Sequence, residues 1–150
     1  MITKRDDSLS NGIAILITLQ TFTKQDNEVI KYDRKFEGQL FQMGNSIYLR
    51  YTEDDNQETA VVTFKINNDG GIQLTRKSKE MRMQLFFENN KRVSATYRTP
   101  YGEIPIETVT PSLSVNINDF PLAGAVHVDY LLYSGGKLLG EYKIRLQFTA

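Results

Sequence analysis

Polar and apolar side chains alternate residue by residue along most of this chain, and that period of two restricts its fold more than any other feature. Ten runs show it, at 13–23, 30–43, 46–53, 58–67, 72–77, 79–88, 92–99, 103–118, 125–134 and 137–148. In 46–53 the apolar face carries Ile47, Leu49 and Tyr51; in 58–67 it carries Ala60, Val62, Phe64 and Ile66. In 125–134 it carries Val126, Val128, Tyr130 and Leu132. Gly38 interrupts the second run, where a strand can bulge or bend, and Pro105 and Pro111 interrupt the eighth. No window sustains apolar residues at helical spacing between recognisable caps.

The breaks between runs carry turn chemistry. Residues 67–71 (Asn-Asn-Asp-Gly-Gly) and 134–136 (Ser-Gly-Gly) tolerate positive φ, and Asn89-Asn90 reads as a tight hairpin. Polar or small residues break the chain again at 43–45 and 54–56. About ten strands joined by short turns make an antiparallel meander. With no helices to cover its edges, such a meander protects them best by closing. The expected fold is therefore all-β: one up-and-down barrel of about eight to ten strands, with a two-sheet sandwich as the runner-up. At 150 residues the chain is one domain long, with residues 1–11 a loose polar segment and 12–150 the barrel.

Composition excludes several functions. With no cysteine there is no disulfide scaffold, thiol catalysis or Cys-ligated metal. One histidine, His127, excludes any site needing two. No apolar run approaches the roughly 18 residues of a membrane-spanning helix, and the N-terminus lacks the pattern of a secretory signal. The expected location is the cytoplasm. His127 and Asp129 share a polar strand face, which suits solvent better than a catalytic pair, and no Gly-x-Ser-x-Gly elbow is present. Neither glycine pair opens a helix that could cradle a phosphate. Glu103 and Glu107, and the turn acids Asp54 and Asp55, read as solvated carboxylates. No enzyme, cofactor or metal site is expected.

Eighteen basic and eighteen acidic side chains cancel, but unevenly: residues 61–98 are net +5, flanked by segments of net −3 and −2. Arg76, Lys77, Lys79, Arg82, Lys91, Arg92 and Arg98, with Phe86 and Phe87 between them, make an RNA- or protein-interaction module the alternative function. Nucleic acid is the weaker expectation, because net charge is zero and alternation spreads these bases over both faces. A more informative oddity is polar side chains at inward parity. Arg76 shares a face with Ile72 and Leu74, and Arg34 shares one with Tyr32 and Phe36. Tyr51, Tyr97, Tyr130 and Tyr142 also fall on apolar faces. A buried arginine is costly unless paired, and tyrosine brings an apolar ring with a polar tip. A lumen so lined suits a small anionic or amphiphilic ligand, with a barrel filled by its own side chains as the plain alternative.

Several segments resemble the YwiB-like family of small bacterial proteins. They are Ile72-Gln-Leu-Thr-Arg76, Met81 with Leu85-Phe86, Thr99-Pro-Tyr-Gly102 leading to Ile104 and Ile106, and Val128 with Tyr130 before Leu139-Gly-Glu-Tyr142. The resemblance covers roughly residues 12–148. It implies a calycin-type barrel, similar in architecture to lipocalins and streptavidin, in the bacterial cytoplasm. It supplies no reaction, because that family has no known function. It does single out Arg76, Thr99, Pro100, Tyr101 and Gly102 as motif positions. The candidate ligand-binding residues are thus Arg34, Arg76, Tyr97, Thr99, Tyr101, Tyr130 and Tyr142, with oligomeric state open.

Overall fold

A computed structural model describes residues 12–54 and 58–150. The expected loose segment at 1–11, and Asp55 in the acidic turn, lie outside the described residues. Ten strands follow in chain order: β1 (Ile13–Gln25), β2 (Glu28–Met43), β3 (Ser46–Asp54), β4 (Thr59–Ile66), β5 (Ile72–Lys77), β6 (Arg82–Phe87), β7 (Arg92–Thr99), β8 (Gly102–Asp119), β9 (Leu122–Ser134) and β10 (Lys137–Thr149). Each is antiparallel to its chain neighbours, and β1 pairs with β10 from Leu16↔Thr149 to Lys24↔Glu141. The sheet is therefore a closed barrel rather than a sandwich. Among the described residues no helix is long and apolar enough to cross a membrane.

Three places depart from a plain meander, each at residues with a reason to depart. Gly38 is the first residue of β2, in chain order, to pair with β3; from Glu28 to Glu37, β2 pairs with β1 alone. A Cβ on Gly38 would lie 2.6 Å from the Arg50 carbonyl oxygen and 2.8 Å from Ile17 Cδ1, so only glycine permits this approach before β2 peels away. Neither proline ends β8. Pro105 lies where β8 pairs with β7 only, and Pro111 lies in a register shift between Val109 and Ser112. Both are positions where a missing N–H costs no ladder bond. Finally, β6 and β7 pair at only three positions and splay toward the turn at Asn89-Asn90. There the buried Thr108 hydroxyl of β8 donates to the Phe86 carbonyl, and Asn89 bridges to Thr110. The run expected at 79–88 accordingly begins only at Arg82. The first hairpin, unassigned from sequence, turns at Asp26-Asn27, both with positive φ (51° and 66°), as a right-twisted two-residue hairpin requires.

Inward side chains change character along the barrel. At the end where the chain terminates, Ile17, Leu49, Ile72, Phe87, Val126, Leu146 and Phe148 are fully buried and form a solid floor. Gly124 admits Phe148 there, since a Cβ would stand 2.5 Å from its ring. Toward the other end the same faces continue as Thr21 and Thr23, Tyr32, Tyr51 and Glu53, Arg76, Tyr97, and Tyr142. Replacing Gly38 with alanine should destabilise the barrel by about 1–3 kcal/mol through overpacking against backbone. Urea unfolding of Gly38→Ala against wild type measures it.

Candidate functional site

The polar end of the lumen is not filled. A cavity of about 250 Å³ remains there, walled by Leu19, Val62, Phe64, Leu74 and Ile144 and bearing polar groups on Thr21, Tyr32, Tyr51, Glu53, Arg76, Tyr130 and Tyr142. It is far larger than the few tens of cubic ångströms one water needs. The interior is thus part filled by its own side chains, at the floor, and part vacant, at the mouth.

Each polar group arrives by strand parity plus register. Tyr142 on β10 faces Tyr130 on β9 and Thr23 on β1. Its ring stacks on Tyr130 at 4.9 Å and 11°, and Tyr130 in turn leans on Phe87 at 4.6 Å. Gln25 Nε2 donates to the Tyr142 hydroxyl at 2.8 Å and fixes it at the rim. On the opposite wall Tyr51 stacks on Phe36 at 4.3 Å, spanning the seam left where β2 leaves β3. The rings of Tyr51 and Tyr130 are 4% and 8% exposed, yet neither hydroxyl has a hydrogen-bond partner among the described residues. Burial pushes both phenols well above their ordinary pKa. For Tyr51 the Glu53 carboxylate pushes the same way and Arg76 opposes it. Both are therefore neutral across the physiological range and act as hydrogen-bond donors and acceptors, not as bases.

Arg76 does not stand alone. Its Nε donates to Glu53 Oε1 at 2.9 Å, and Glu58 Oε1 lies 3.8 Å from its Nη1. Burial works against the guanidinium charge, but the hydrogen bond and charge of Glu53, with Glu58 behind it, outweigh that and hold the pKa above its ordinary value. The sequence reading missed both carboxylates, although Glu53 sits two residues past Tyr51 on the same face.

The remaining predicted residues lie elsewhere. Tyr97 is half-buried and donates to Met81 Sδ at 3.2 Å, beside the cavity rather than on its wall. Arg34 is exposed at the seam, its guanidinium 5.5 Å and 5.4 Å from the Tyr32 and Phe36 ring centroids. Thr99 serves the β7–β8 turn, accepting from the Tyr101 N–H at 3.1 Å and donating to the Gly102 carbonyl at 3.0 Å. Tyr101 is 99% exposed at the tip of that turn. His127 faces outward, and its neighbour Asp129 is held by Arg145 at 2.8 Å. In the basic segment, Lys91, Arg92 and Arg98 pair with Glu88, Glu107 and Glu103, while Lys77, Arg82 and Arg98 stand in register across β5, β6 and β7.

Residues 17–146 match a family model described as a domain of unknown function (DUF1934). No curated protein matches the chain. Among solved structures, the crystal structure of ywiB protein from Bacillus subtilis superposes with a TM-score of 0.81 over 97% of each chain, at 16% sequence identity. At that identity the likeness is one of fold.

Because the folded-state pKa of Tyr51 and Tyr130 exceeds the unfolded value of about 10, the stability these phenols contribute is complete below that pH, begins to be lost there and goes on falling as pH rises toward the folded-state pKa. Unfolding free energy should therefore fall between about pH 9 and about pH 11, and fall less in the Tyr51→Phe/Tyr130→Phe double variant. Urea titrations across that range test this.

Proposed function

The chain belongs to the DUF1934 family, and from that premise we propose that it is a non-enzymatic barrel binding a small amphiphilic molecule in the cavity at its polar end. The observation that carries this reading is the vacant space at the polar end of the lumen, lined by the phenols of Tyr51 and Tyr130, whose hydroxyls have no partner among the described residues. A molecule offering partners to those two hydroxyls while covering Leu19, Val62, Phe64 and Leu74 gains hydrogen bonds and removes apolar surface from water. The non-enzymatic part is supported by the state of the titratable groups. The Tyr51 and Tyr130 phenols are held neutral and the one arginine is held by carboxylates, so none of these three groups is poised to exchange a proton near neutral pH. The proposed setting is the bacterial cytoplasm, on the absence of cysteine and the family resemblance.

The alternative, an RNA- or protein-interaction module using the basic 76–98 region, keeps less support. Arg76, Lys91, Arg92 and Arg98 are each engaged by a glutamate, and phosphate binding needs cations free to release counterions. Salt-dependent retention on heparin, weakened in Lys91→Glu/Arg92→Glu, would restore that reading.

Native mass spectrometry of gently purified protein should reveal a retained small molecule. The Thr21→Phe variant, which fills the cavity mouth, should lose it while keeping the wild-type β-sheet circular dichroism. A wild-type protein that carries nothing, and shows no chemical-shift change with a library of ring-sized compounds, removes the proposal.

A further inference from the structure

The two inward charges on the cavity wall, Arg76 and Glu53, cancel one another, and this says what kind of molecule can enter. Glu58, outside the lining, lies 3.8 Å from the far side of the same guanidinium. Lys143, the other charged residue at the wall, lies on the outer face of β10, in register with Asp129 of β9. Arg34 is exposed over its aromatic neighbours at the seam, outside the lining. An anion brought inside would meet a guanidinium already taken and carboxylates that repel it. A cation would meet, on the wall, one carboxylate already taken and a guanidinium that repels it. Either way a charge is desolvated without a free counter-charge, which is the expensive case.

What the cavity does offer freely is neutral hydrogen bonding. The Tyr51 and Tyr130 hydroxyls each present an unused donor and acceptor. The Tyr142 hydroxyl, accepting from Gln25, still has its own proton to give. Size sets the second limit. A cavity of about 150 Å³ is enough for benzene, so the 250 Å³ here takes a substituted single ring.

We propose that this site selects an uncharged, ring-sized molecule that bears both a hydrogen-bond donor and an acceptor, an inference that rests on the small-molecule reading above and narrows it. Arg76 is then not the counter-ion of an anionic ligand, as inward parity alone suggests. It is half of an internal ion pair that rejects charge of either sign.

Four probes of nearly one shape separate the possibilities on the full chain at neutral pH: benzamide, benzoate, benzamidinium and toluene. By calorimetry or chemical-shift titration, benzamide should bind at least about tenfold more tightly than each of the others. Benzoate or benzamidinium binding as well as benzamide overturns the exclusion of charge and leaves small-molecule binding intact. Toluene matching benzamide overturns the need for donor and acceptor. Binding of none of the four overturns both this inference and the reading beneath it. In the Glu53→Gln/Glu58→Gln variant Arg76 is released, and preference should move from benzamide to benzoate; a folded variant that keeps the wild-type order overturns the role given to the carboxylates. If that variant fails to fold, the wild-type ranking decides alone.

Discussion

The ladder between β1 and β10 joins the two ends of the chain, and the rest of the molecule depends on it. Without it, Leu16–Lys24 and Glu141–Thr149 would be the raw edges of a ten-strand sheet, open to any passing strand. With it, every second side chain of all ten strands turns toward one axis. The floor, the cavity and the ion pair in its wall exist only because that axis is shared. The pairing is also the most distant in sequence, so its loop-closure entropy is the largest of any strand pair in the ring.

Within the closed ring, dense packing and open space fall at opposite ends. The floor holds Phe87, Phe148, Leu49, Ile17 and Val126 at no more than 1% exposure, and this is the dense packing that holds a β-barrel together. The mouth gives up some of that density. It keeps two phenols without partners, an ion pair that is only partly desolvated, and a void where side chains would otherwise interlock. Marginal stability at a site, offset by a well-packed remainder, is the ordinary arrangement in binding proteins.

Much of this was legible in the residues themselves. Period-two alternation located all ten strands, because one buried face enforces parity across the whole strand. The same parity put Arg76, Tyr130 and Tyr142 inside. Register across strands was not legible, since it depends on pairings between segments far apart in sequence. That is why inward parity offers Arg76 as a counter-charge for a ligand and does not show its partner Glu53, which lies on the face already assigned to Tyr51. The departure of β2 from β3 was marked only by Gly38, and one glycine cannot say whether a strand bulges, bends or leaves. Thr99 and Tyr101 stood out through a motif whose physical content is a turn, and a turn is where they are.

An even number of antiparallel strands has a geometric corollary. The connections β1–β2, β5–β6, β7–β8 and β9–β10, with the facing ends of β3 and β4, fall on the cavity side, while the start of β1, the end of β10 and the other four connections fall beside the floor. Loops on the cavity side can therefore lengthen, shorten or change their side chains without disturbing a single phenylalanine of the floor, so variation at the mouth is decoupled from the survival of the container.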